Sequence, residues 1–199
     1  MNRWVAILLL GGLLFPAAAE PPDIEYIYPA GGQRGTVVPV RVGGYYFHGQ
    51  AGFEMLGPGV QFKSTVPRVE TTWFEGPLIF QPLSQRGEDY PKDHANEIIL
   101  AANAPLGDRY WRCWTSQGAT RALRFVVGNL PEVMEEEIDG RPLPQAVTLP
   151  VTANGRIFPR EDVDIWTLEA KADDVIVCDA AAKRFGSPVK LVLSVEDPA

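Results

Sequence analysis

Histidine is scarce in this 199-residue chain, present only as His48 and His94, and cysteine is equally so, at Cys113 and Cys178. Nucleophilic catalysis needs a base held beside the nucleophile. Ser64, Ser84, Ser116, Ser187 and Ser194 all lie outside a G-x-S-x-G elbow, and no carboxylate pair stands out for glycoside chemistry. The H-E-x-x-H, C-x-x-C, G-x-G-x-x-G and Walker patterns are missing too, which removes the zinc, redox and nucleotide signatures. Positive charge is also short: 18 Lys and Arg stand against 25 Asp and Glu, a net charge of −7. That balance argues against a nucleic-acid surface, which works by neutralising phosphates. Long apolar runs are limited to one, over residues 4–15.

That run defines a targeting segment. Met1-Asn2-Arg3 carries a positive charge, twelve apolar residues follow, and Pro16-Ala17-Ala18-Ala19 supplies the small residues a signal peptidase reads. As a helix the run would span about 18 Å, short of the roughly 30 Å of a hydrocarbon core. Residues 1–19 are therefore expected to be a signal peptide cleaved after Ala19. The mature chain would start at Glu20, have no transmembrane span, and be secreted or periplasmic. An oxidising compartment permits disulfides. Cys113 and Cys178 lie 65 residues apart in stretches assigned below to different units, so pairing stays open beside two separate structural thiols.

Nineteen glycines and eighteen prolines exceed the average combined share of about 12%. So many breakers suit short strands joined by turns. Strands are expected over residues 24–28, 36–42, 45–47, 59–63, 68–74, 97–102, 109–115 and 122–127, with no helical periodicity among them. Pro39 has no amide donor, so its strand should lie at an edge or carry a bulge. Gly31-Gly32 and Gly43-Gly44 read as turn residues. Residues 75–96 are expected to include a long polar loop at one end of the sandwich. Trp111 and Trp114 have opposite parity on one strand, so one of them should face away from the core, where an exposed ring could stack on a sugar. Seven or eight strands in about 105 residues is the size of an immunoglobulin-like domain.

Tyr28-Pro29-Ala30-Gly31-Gly32-Gln33-Arg34-Gly35-Thr36, the Gly-Gly step before an aromatic cluster, Ala104-Pro105-Leu106-Gly107 before an aromatic strand, and Phe125-Val126-Val127-Gly128 resemble TIG/IPT-type immunoglobulin-like domains of secreted bacterial proteins. The resemblance covers residues 20–128. From 129 to 199 the order is an acidic leader, a strand, the turn Asn154-Gly155-Arg156-Ile157, Asp162-Val163-Asp164 with apolar and aromatic residues after it, and Gly186-Ser187-Pro188. It resembles the bacterial pre-peptidase C-terminal domain, a β-sandwich module of exported proteins. Only about 70 residues are present, so this second, jelly-roll-like unit is expected to be incomplete, either as a fragment of a longer chain or completed by another surface.

Hard cations want several oxygen ligands. On an extended leader, Glu135, Glu137 and Asp139 project their carboxylates to one side, where Asp162 and Asp164 would meet them. In some pre-peptidase C-terminal domains calcium lies between such elements, so the resemblance implies calcium at these five positions. A solvated acidic linker is the alternative. The expected protein is thus all-β: an immunoglobulin-like β-sandwich and a partial second sandwich, not an enzyme. It would serve adhesion, substrate targeting or spacing in a larger exported protein, with a protein or polysaccharide outside the cell as partner. Two alternatives stay beside it, the accessory region of a secreted hydrolase and a calcium-dependent carbohydrate-binding protein.

Overall fold

A computed structural model describes residues 20–70, 92–138, 141–157 and 162–196. The proposed signal peptide and Asp139 lie outside these residues. Alternation dictates the strands of the first unit: in β4 (Gln50–Leu56) Ala51, Phe53 and Met55 are buried, and in β8 (Gly107–Thr115) Arg109, Trp111 and Cys113 are. β1 (Asp23–Tyr28), β3 (Val37–Tyr45), β7 (Lys92–Leu100) and β5 (Val60–Phe62) form one sheet in the order β1-β3-β7-β5. A second sheet runs β2-β10-β8-β4-β6, adding β2 (Gly31–Gln33), β6 (Thr65–Pro67) and β10 (Leu123–Gly128), with β9 (Gly118–Ala119) paired to β8. Neighbours are antiparallel except β2 and β10, which run parallel.

The two sheets enclose one core. Phe53 stacks on Trp111 at 5.8 Å and meets Phe62 edge-on at 5.5 Å. Among the described residues every buried hydrophobic lies between Ile24 and Val127. Burying each large side chain contributes about 1.5–3 kcal/mol, so the folding drive of the described chain is concentrated in this sandwich. Cys113 belongs to the core and its thiol is pushed up to about 12 by burial, whereas Cys178 is exposed; both are free thiols.

Several local expectations are corrected. β4 lies where no strand is expected, because Gly52 mimics a turn. Gly43 and Gly44 sit inside β3: a Cβ on Gly43 would fall 2.0 Å from the Tyr26 ring, and one on Gly44 would fall 2.5 Å from Phe47. Gly31 and Gly32 likewise belong to β2, and of that connection only Gly35 has a positive φ, at 83°. Pro39 lies in an internal strand, but β1 pairs with β3 only from Arg41 onward, so beside Pro39 the strand has a partner on one side alone. Residues 92–96 are strand rather than loop. Of the expected strand at 68–74, the described part shows only an isolated bridge from Arg68 to His94.

Extending β7 back to Lys92 buries two ionisable groups. Asp93 accepts hydrogen bonds from the Tyr26 hydroxyl and, at 3.0 Å, from Arg41. His94 packs edge-on against Phe47, with its ring nitrogens 3.0 Å from the Lys92 carbonyl and 3.4 Å from that of His48. Burial holds its pKa below the ordinary 6.5, reinforced by the Arg68 charge and opposed by the two carbonyls and Asp93. A folded-state pKa below the unfolded one gives stability that is present above 6.5 and lost as pH falls through the lowered value. The melting temperature of the sandwich should therefore fall between about pH 7 and pH 5, and His94→Gln should flatten that fall in calorimetry.

Beyond Gly128 the strands are short. β11 (Glu132–Met134) pairs in parallel with β15 (Thr152–Asn154), β14 (Gln145–Val147) in parallel with β16 (Trp166–Leu168), and β12 (Glu137–Ile138) antiparallel with β13 (Arg141–Pro142). Val175, Val177 and Val192 are 90%, 86% and 91% exposed. After Leu168 the described residues hold one 3-10 turn, Lys183–Phe185, and no strand. Among the described residues no helix is long and apolar enough to cross a membrane.

Candidate cation site beside the sandwich

Two parallel strand pairs bring the leader and the D-x-D element together. The register of β11 on β15 sets Met134 opposite Asn154, and the Glu135 amide donates to the Asn154 carbonyl at 2.9 Å. The Gln145 amide donates to the Ile165 carbonyl at 3.0 Å, which holds Asp164 beside the leader. Glu135 and Asp164 then converge over Gly155. A Cβ there would lie 2.1 Å from Asp164 Oδ2 and 3.0 Å from Glu135 Oε2. Gly155 is thus a requirement of close approach, because the carboxylates occupy the space a side chain would need.

Arg156 anchors the pair to the sandwich. Its Nε lies 3.0 Å from Glu135 Oε1, and its guanidinium sits 5.2 Å from the Tyr28 ring centroid, a cation–π distance. The Tyr28 hydroxyl donates to the Asn154 carbonyl at 3.1 Å, and Asn154 Nδ2 donates to Glu132 Oε2 at 3.0 Å. Burial pushes the Tyr28 hydroxyl and the Glu132 carboxyl up. It also pushes Glu135 up, to about 8, with Asp164 adding to the rise and Arg156 opposing it. Asp164 is raised too, first by burial and then by the charge of Asp162. Burial and the closeness of the two carboxyls therefore both favour a proton on the pair.

Of the five sequence-derived ligands, the structure brings Glu135 and Asp164 together. Asp162 influences Asp164 through its charge, but its Oδ1 accepts from the Val163 amide at 2.8 Å. The backbone of Glu137 lies in β12, and Glu135 precedes that strand, so the leader is not one continuous extended face. The sequence reading missed Gln145: its Nε2 donates to the Met134 carbonyl at 3.0 Å while its buried Oε1 has no hydrogen-bond partner. Glu135 Oε2 is likewise buried without a hydrogen-bond partner. Glu135, Gln145, Asp164 and Trp166 line a shallow pocket at this point.

Hard-oxygen chemistry suits calcium, but the ion takes about six to eight ligands, and these residues supply two carboxylates and an amide oxygen. Among the described residues no group of three or more His, Cys, Asp or Glu is arranged to hold a metal.

A folded-state pKa above the unfolded value gives stability that is complete below the ordinary 4.5 and disappears as pH rises through about 8. In calcium-free buffer, hydrogen exchange of the β11 and β15 amides should accelerate across that interval. Glu135→Gln, which keeps a donor and removes the titration, should abolish the acceleration.

No protein-family model matches the sequence, and no curated protein matches it. Among solved structures, the SrpA adhesin from Streptococcus sanguinis is similar over 57% of this chain and 58% of its own, with 15% identity and a TM-score of 0.34. A point mutant of that adhesin matches over 54% of this chain and 58% of its own, with 14% identity and a TM-score of 0.33. This chain thus spans 58% of the adhesin chain's length, and a likeness at that TM-score carries no argument about what it binds.

Proposed function

We propose that this protein is an exported, non-catalytic β-sandwich module that serves adhesion, substrate targeting or spacing in a larger extracellular or periplasmic protein. The observation that carries this reading is the use made of the buried ionisable groups in the sandwich. Asp93 joins Tyr26 to Arg41, and His94 faces two carbonyls. Arg109 donates to the Pro58 and Pro105 carbonyls at 3.0 and 2.7 Å and so ties two turns together. Each of these groups is committed to holding strands or turns, which leaves the outer faces for binding. The TIG/IPT-type and pre-peptidase C-terminal resemblances and the leader at 1–19 support the same reading.

Expressed with its own leader, the protein should be recovered outside the cytoplasm with Glu20 at its N-terminus. It should be retained on isolated cell envelopes or extracellular matrix, and should not turn over casein, p-nitrophenyl esters or p-nitrophenyl glycosides. Retention in the cytoplasm with the leader intact, or turnover that co-purifies with the protein, would overturn the proposal.

The two orphaned buried oxygens favour a second element of the reading. Glu135, Asp164 and Gln145 Oε1 would bind a divalent cation such as calcium in place of the shared proton, so affinity should rise with pH. A cation at 100 times its Kd stabilises the bound state by about 2.7 kcal/mol. Calcium should therefore raise the melting temperature above that in chelator at pH 8 more than at pH 6. Asp164→Asn should remove the difference.

A further inference from the structure

The outer face of the second sheet carries an arrangement that none of the preceding roles uses. Tyr110, Arg112 and Trp114 alternate with the buried Trp111 and Cys113 along β8, so all three point outward. Across the register to β4, Tyr110 faces Leu56, Arg112 faces Glu54 and Trp114 faces Gly52. Trp114 and Tyr110 are 38% and 44% exposed. A Cβ on Gly52 would lie 2.2 Å from Trp114 Cε2 and 2.5 Å from its Nε1. The indole thus lies down across the Gly52 backbone, with one face on the strand and the other toward solvent. Any side chain at position 52 would lift the ring off the sheet.

Between the two rings, which are four residues and about 13 Å apart along the strand, sits the Arg112–Glu54 ion pair. Beside Tyr110, Arg124 pairs with Asp108 at 3.5 Å. Each of these charges is matched by a neighbour, so this face is locally neutral on a chain of net charge −7. The Lys183–Phe185 turn borders the face where Arg124 donates to the Arg184 carbonyl, and both rings stay exposed.

We propose that this face binds an extended, uncharged polysaccharide laid along β8. Trp114 and Tyr110 stack on the apolar faces of two sugar rings, and Arg112 and Glu54 donate to and accept from the hydroxyls between them. The occupant follows from the chemistry of the face. A single nucleic-acid strand also stacks on aromatic rings, but it needs an unneutralised positive track. A stable protein interface wants a shaped apolar centre with few charges, whereas here an ion pair separates two flat rings. Sugar rings offer an apolar face for each aromatic and hydroxyls for the paired charges. This inference rests on the adhesion or targeting reading and supplies its ligand class.

The test uses the mature chain in affinity electrophoresis through gels containing hydroxyethyl cellulose, xylan, mixed-linkage β-glucan or laminarin, and in pull-down on cellulose and chitin. At least one of these should retain the protein, and 1 M NaCl should not release it. Trp114→Ala and Tyr110→Ala should each weaken retention by about tenfold, the effect expected of losing one aromatic contact. Trp114→Phe, which keeps a ring over Gly52, should lose less. Val37→Ala, at an exposed position of the other sheet, should bind like the unchanged protein. Melting temperatures of the variants separate lost binding from lost folding, and Tyr110→Ala and Trp114→Phe carry the test should Trp114→Ala fail to fold. Failure of every polysaccharide to retain the protein overturns the inference, as does retention that Tyr110→Ala and Trp114→Phe leave unchanged. Retention on cell envelopes would still stand in either case, so the inference can fail while the adhesion reading survives.

Discussion

The closed core between the two sheets is the constraint on which everything else in the chain depends. Phe53 stacked on Trp111, with Phe62, Phe125 and Met55 around them, joins strands that are far apart in sequence. Once these residues are committed to the interior, the period-two geometry of a strand leaves their neighbours no choice. Arg112 and Trp114 must face outward because Trp111 and Cys113 face inward. The ordered aromatic row on the outer face is thus a consequence of core packing on the inner one.

The described residues after Gly128 lack such an interior and lean on the first unit. Their parallel strand pairs are three residues long, and the described part buries no hydrophobic side chain fully. What holds β11 and β15 near the sandwich is polar and aromatic: the Tyr28 hydroxyl on the Asn154 carbonyl, Arg156 over the Tyr28 ring, and Glu135 against Arg156. Partial burial shifts the Glu132, Glu135 and Asp164 carboxyls upward, and the contacts with Arg156 and Asn154 oppose that rise. Two carboxylates brought together in a half-buried place repel unless something positive sits between them.

Much of the architecture was readable in advance, and the misreadings share a cause. Composition and alternation indicated an all-β chain, and the opposite parity of Trp111 and Trp114 correctly placed one ring inside and one outside. Glycine was the main source of error. Gly31-Gly32 and Gly43-Gly44 looked like turns, and Gly52 hid β4 altogether. Each lies in a strand because a distant group, such as the Tyr26 ring, Phe47, Val38 or the Trp114 indole, fills the space where its Cβ would be. Glycine as a turn former is a local property, whereas glycine as clearance for another chain segment is not. Asp93 and His94 were misplaced in a loop for a related reason: polar residues look solvent-exposed until partners such as Tyr26, Arg41 and Phe47 are seen to enclose them.

The candidate cation site divides along the same line. Acidic spacing and the family resemblance nominated Glu135, Glu137, Asp139, Asp162 and Asp164, and the structure brings Glu135 and Asp164 together over Gly155. Neither had any means of finding Gln145, whose amide oxygen is notable only because it is buried without a partner. The alternation of inward and outward residues follows from the order of residues, because backbone geometry alone imposes a period of two on every strand. Which glycines give clearance, which carboxylates meet and which charges neutralise one another were decided by tertiary structure alone. These depend on distances between segments tens of residues apart, and only the packing of the two sheets sets those distances.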